Sequence, residues 1–198
     1  MPFERPGIEV RVFRSHAEAD AADKEWWLRI PPNERVELAR RLSQELYGMK
    51  VELPSDHNFE YFLRAFSVQG VRFLVVGAYA LALHGHPRAT GDLNVWVEPT
   101  PENAARVVAA LCAFGAPMSS VTEEDFAAPG MVHQFGLPPG RIDILTKLSG
   151  HDFAEAWKTR LLGLMGPCEV PFLDRESFIR NKRAAGRPKD MVDADALE

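Results

Sequence analysis

The chain has 198 residues, 46% of them hydrophobic and 26% charged, with a net charge of −5. That composition excludes a disordered chain, and no apolar run is long enough to span a membrane. The acidic balance argues against non-specific coating of nucleic acid while leaving room for a local basic groove.

Cys112 and Cys168 stand far apart, in neither a CxxC nor a zinc-finger spacing. The N-terminus, Met1-Pro-Phe-Glu-Arg-Pro-Gly7, lacks the apolar core of a signal peptide. Both features predict a reduced, cytoplasmic chain.

Residues 1–50 read as a helical extension. A helix over His16 to Ile30 closes on Trp26-Trp27, and Pro31-Pro32 stops it. In the next segment Val36, Ala39, Leu42 and Leu46 sit at helical spacing, and Gly48 ends it. Trp26-Trp27 reads either as core packing or as a partner-binding patch. Residues 48–57 read as a linker.

A second unit runs over 57–198. Phe59, Phe62, Leu63 and Phe66 recur at the spacing of an amphipathic helix that ends by Gly70. Phe73-Leu-Val-Val76 is a buried strand, followed by Gly77-Ala78 and a short helix through Leu83. His84 to Thr90 reads as a loop, with His84 and His86 as loop histidines rather than zinc ligands. Residues 92–98 form the next strand, and Pro99 to Ala113 a helix with Thr100 as its cap and Pro101 as its first residue. Residues 115–140 are rich in Gly and Pro and yield only fragments. Residues 141–145 form a strand and Asp152 to Leu162 a helix, with Phe153, Ala156, Trp157 and Leu161 on one side. Glu169 to Leu173 is a short strand, Arg175 to Ala185 a helix ended by Gly186, and Asp190 opens a last helical turn as its cap. Strands interleaved with helices predict an α/β (α+β) fold with one mixed sheet and flanking helices.

The chemistry concentrates on the strands at 92–98 and 141–145. Alternation along a strand puts Asp92 and Asn94 on one face while Leu93, Val95 and Val97 face a core. Asp143 lies between Ile142 and Ile144, and an acid in such a setting needs a partner, a metal or a function. Tyr79 and Trp96 read as core aromatics. From Arg175 to Lys189 six basic residues face one acid, so Lys182, Arg187 and Lys189 either line a phosphate or RNA groove or form a solvated face.

The ordered series Val76-Gly77-Ala78-Tyr79-Ala80, His84-Gly85, Arg88-Ala-Thr90, Gly91-Asp92-Leu93-Asn94 and Arg141-Ile-Asp143 resembles the nucleotidyltransferase superfamily with the DNA polymerase beta-like fold. It is most similar to the small bacterial members, some of them toxins of toxin–antitoxin pairs. The tail Lys182-Arg-Ala-Ala-Gly-Arg-Pro-Lys-Asp190 with Asp193 shares the likeness, which covers roughly residues 57–195.

The resemblance implies a nucleotidyltransferase-like fold and transfer of NMP from a nucleoside triphosphate to an acceptor, whether an RNA end, a protein or a small molecule. It implies two Mg²⁺ held by Asp92, Asn94 and Asp143, the catalytic row. It implies a nucleotide bound by Gly77, Ala78, Arg88, Lys182, Arg187 and Lys189. Two departures stand out. Gly77-Ala78 replaces the usual Gly-Gly or Gly-Ser, and Asn94 replaces an aspartate, which removes one negative charge and predicts impaired catalysis. A catalytically degenerate nucleotide-binding or toxin–antitoxin interaction module, with a partner bound through residues 1–50, is the competing expectation.

Overall fold

The computed structural model describes residues 10–15, 18, 19, 22, 25, 29 and 57–198, the last range without 87, 89, 138 and 139. Among the described residues, seven strands build one mixed sheet flanked by helices. In chain order the elements are β1 (Val10–Phe13), α1 (His57–Val68), β2 (Phe73–Val76), α2 (Gly77–Leu83), β3 (Asp92–Val97) and α3 (Pro101–Phe114). There follow α4 (Glu124–Ala127), β4 (Val132–Phe135), β5 (Arg141–Leu145), α5 (Phe153–Thr159), β6 (Leu161–Met165), β7 (Cys168–Phe172), α6 (Arg175–Ala185) and α7 (Pro188–Asp195). The sheet order is β1-β4-β5-β3-β2-β7-β6. Strands β3 and β5 run parallel, as do β2 and β7; the other pairs are antiparallel.

Each sheet face has its own cover. Phe73 shares a face with Val97, Val95 and Leu93, and there α1 and α3 dock: Phe66 meets Phe73 edge-on at 5.5 Å and Phe62 meets Phe114 at 5.6 Å. Trp96 points the other way, edge-on to Phe153 of α5 at 4.9 Å. Burying rings of this size on both faces removes several hundred Å² of apolar surface from water, the main drive for the fold. Tyr79 is buried and edge-on to Phe59, so both singled-out aromatics are core.

Local signals set the helix ends. The Thr100 side chain accepts from Asn103 N at 3.3 Å, and Gly115, at φ 83°, closes α3 in the left-handed region. Asn103 is itself buried and ties two loops, accepting from Arg72 N at 2.8 Å and donating to the carbonyls of Arg72 and Glu98 at 3.0 Å each.

Several expectations need correction. Helix α5 stops at Thr159, and Leu161 belongs to strand β6 rather than the helical stripe. Arg160 takes ψ 146°, which breaks the helix, and Leu161–Met165 zips antiparallel onto β7. The span 115–140 holds α4 and β4, the latter hidden from periodicity because His133 and Gln134 are both fully buried on opposite faces. Val10–Phe13 adds an edge strand, paired with β4. The last helix is longer than one turn and starts at Pro188, with Arg187 rather than Asp190 at its N-cap.

Glu18, Ala19, Ala22, Glu25 and Arg29 are helical, in keeping with a helix over 16–30. Trp26-Trp27 and the expected helix over 34–47 lie outside the described residues. No helix among the described residues is long and apolar enough to cross a membrane.

Candidate functional site: a carboxylate row and a basic cleft

Asp92, Asn94 and Asp143 converge on one sheet face. The parallel register of β3 with β5 sets Asn94 beside Asp143 and Asp92 beside Arg141. On β4, Gln134 stands beside Asp143; on β2, Val76 stands beside Asn94. Gly77 follows Val76 at φ 67°, a conformation L side chains rarely adopt, and a Cβ there would come within 3.3 Å of the Asn94 side chain. Position 77 therefore lets the backbone lie against Asn94.

The row already holds a cation. Arg141 lies at i−2 from Asp143, so both point to the same face of β5. Its Nη2 donates to Asp92 Oδ2 at 2.8 Å and to Asp143 Oδ2 at 3.1 Å, and its Nε lies 2.8 Å from Asp143 Oδ1 as an ion pair. The Arg141 side chain is only 7% exposed. Gln134 Nε2 reaches Asp143 Oδ2 at 3.4 Å, and the Thr90 hydroxyl donates to Asp92 Oδ1. Burial pushes the Asp92 carboxyl up, but the Arg141 charge and hydrogen bonds from Thr90, Asn94 and Arg141 outweigh it and hold it below the ordinary value.

This donor set does not fit a two-magnesium centre as arranged. Oxygen ligands on one face suit a hard cation, yet both carboxylates are engaged by Arg141 and the third ligand is a neutral amide. Among the described residues, no group of three or more His, Cys, Asp or Glu side chains is placed to hold a metal. His84 Nε2 instead lies 3.0 Å from the Leu173 carbonyl, and His86 is exposed.

Beside the row opens a cleft of about 720 Å³. Gly77 and Asn94 form part of its wall, and its charged lining residues are Arg14, Lys147, Lys182 and Arg187, all basic. Asp92 and Asp143 are not on its lining, so Asn94 is the member of the row that the cleft touches.

Carboxylates of α7 hold Lys182 of α6, Arg187 at the N-cap of α7 and Arg88 of the loop before β3 in place. Asp190 is fully buried and pairs with Lys182 at 2.6 Å and with Arg187. Asp193 reaches Lys182 at 3.3 Å and clamps Arg88 through two bonds of 2.9 and 3.0 Å. Burial would raise the Asp190 carboxyl, but Arg187 and Lys182 lower it overall. Asp190 is thus a buried counter-ion in the first turn of α7 and not its cap.

Of the residues expected to bind nucleotide, Gly77, Lys182 and Arg187 meet on the cleft. Ala78 is buried, Arg88 is turned to Asp193, and Lys189 is exposed away from the lining. Arg141, Lys147 and Arg14 carry charge at or beside this site and were given no role by sequence reasoning. Only the i−2 spacing of Arg141 from Asp143 signalled one of them.

No protein-family model matches the chain, and no curated protein matches it.

Proposed function

We propose that this chain is a nucleotidyltransferase-type protein. It holds a nucleoside triphosphate in the basic cleft and passes the NMP slowly to the hydroxyl of an acceptor. One observation carries the reading: Asp92, Asn94 and Asp143, from two neighbouring strands, share a face whose middle member meets Gly77 on the wall of a cleft with basic charged residues. The cleft volume, about 720 Å³, suits a ligand of nucleotide size. Lys147 and Arg14 bring positive charge to the wall for a triphosphate, while Lys182 and Arg187 line the cleft with their charge partly met by Asp190 and Asp193.

In the transfer, the acceptor oxygen bonds to the α-phosphorus as the bridge to the β-phosphate breaks, and pyrophosphate leaves. The acceptor proton must go to a base. Asp92, kept acidic by Arg141, is a weak base, and Asn94 is none. That is the reason to expect a slow reaction.

The same pairing favours a second reading, a catalytically degenerate nucleotide-binding or toxin–antitoxin interaction module that engages a partner through residues 1–50. Titrating each of the four NTPs with and without Mg²⁺, then searching for acceptors labelled by α-³²P-NTP, separates the two. Labelled acceptor in the native chain, increased in Asn94→Asp, supports transfer. Tight NTP binding indifferent to Mg²⁺, with no labelling by either form, supports the binding module. Absence of NTP binding overturns both.

A further inference from the structure

We propose that the Arg141 guanidinium is the resident cation of the carboxylate row, standing where a divalent ion would otherwise bind, so that the row takes up no metal. The claim concerns the same face as the proposed function but holds whether or not a nucleotide binds.

Three of the four carboxylate oxygens accept hydrogen bonds from protein donors, and the fourth, Asp143 Oδ1, stands at ion-pair distance from Arg141. Asp92 Oδ1 receives the Thr90 hydroxyl, and Asp92 Oδ2 receives Arg141 Nη2 at 2.8 Å. Asp143 Oδ1 faces Arg141 Nε at 2.8 Å, and Asp143 Oδ2 receives Arg141 Nη2 at 3.1 Å with Gln134 Nε2 at 3.4 Å. A metal needs those lone pairs, and its approach would bring two like charges together in a mostly buried setting. Arginine keeps its proton throughout the neutral range, so it does not yield the place by titration.

The backbone register puts the three side chains on one face. Arg141 shares a strand face with Asp143 two residues on and stands beside Asp92 across the β3–β5 register. Position 94 agrees with it: the Asn94 amide donates to Asp92, as a neighbour of a closed ion pair should. Two carboxylates against one guanidinium leave the row at a net −1, and a third carboxylate at 94 would take it to −2.

Mn²⁺ alone, with no nucleotide present, tests the assignment by electron paramagnetic resonance of the free ion and by thermal melting. The native chain is expected to bind no Mn²⁺ up to the millimolar range and to melt at the same temperature with and without it. Arg141→Gln is expected to bind Mn²⁺ about tenfold more tightly or better, and to melt higher as Mn²⁺ is added. Should Arg141→Gln not fold, the native chain and Asp92→Asn decide between them: melting unmoved by Mn²⁺ in both supports the proposal. A Mn²⁺-dependent rise in the native chain that Asp92→Asn abolishes overturns it, as does an Arg141→Gln protein that folds yet binds Mn²⁺ no better than native. Loss of the nucleotidyltransferase reading would show separately, as absent NTP binding.

Discussion

Replacing Asn94 with aspartate should destabilise the protein at neutral pH in the absence of divalent ions, and destabilise it less as the solution is acidified. The new carboxylate would stand beside Asp143 on the next strand and share a face with Asp92. Strands lie about 5 Å apart, and two like charges at that distance repel by about 3 kcal/mol at an effective dielectric near 20. Asp92, about 7 Å along the strand, adds about 2 kcal/mol, and Arg141 between them removes a similar amount. The net cost is about 3 kcal/mol, to which loss of the Asn94 donor to Asp92 adds about 1 kcal/mol. Repulsion raises the folded-state pKa of the new acid above its unfolded value. The penalty is therefore complete above the folded pKa and shrinks as pH falls toward the unfolded one, where the protonated acid can donate as the amide did. Urea denaturation should show a gap to native of about 3–4 kcal/mol at pH 7.5 and about 1 kcal/mol at pH 4.5. A gap of the same size at both pH values would refute the electrostatic reasoning and leave packing as the cause. Native-like stability of Asn94→Asp at pH 7.5 without metal would refute it outright.

Other substitutions probe the surrounding structure. Lys182→Met removes a cation from between buried Asp190 and Asp193 and should cost about 3 kcal/mol in urea denaturation, with weaker pyrophosphate binding by calorimetry. Because the Asp190 pKa is lowered in the fold, its stabilisation is complete above the ordinary carboxylate value and lost as pH falls through the folded value. Melting temperature should thus drop below about pH 4, and less steeply in Asp190→Asn. Asn103→Ala leaves Arg72 N without its acceptor while the carbonyls of Arg72 and Glu98 keep backbone donors, and thermal unfolding should report a loss of about 1–3 kcal/mol. Gly77→Ala forces a Cβ into a left-handed conformation 3.3 Å from Asn94, a cost of about 1–2 kcal/mol that should appear together with weakened NTP binding.

Wherever one short stretch carried its own signal, the elements could be read from it. The Phe59-Phe62-Phe66 stripe, the unbroken Phe73–Val76 run, and Thr100 with Pro101 each announced a helix or strand. Elements without a local signature were missed. Strand β4 buries a histidine and a glutamine where periodicity expects alternation, and β6 continues the apolar pattern of the helix before it. That Asp92 and Asn94 share a face was legible because strand alternation fixes it, whereas Asp143 beside them was implied only by the resemblance and is set by the β3–β5 register.

Charge pairing was a different matter. Lys182 and Arg187 read equally well as phosphate ligands or solvated groups, and Arg88 as a nucleotide contact, until α7 set Asp190 and Asp193 against them. Arg141 stood in plain view two residues before Asp143. Its role depends on Asp92, 49 residues away in sequence, which the β3–β5 register brings within 2.8 Å. The sequence by itself determined which residues share a strand face and where most helices begin and end, because those depend on neighbours along the chain. Only the tertiary structure decided that the row's negative charge is met by an arginine of its own sheet, because Coulomb energy depends on distances through space that chain order does not contain.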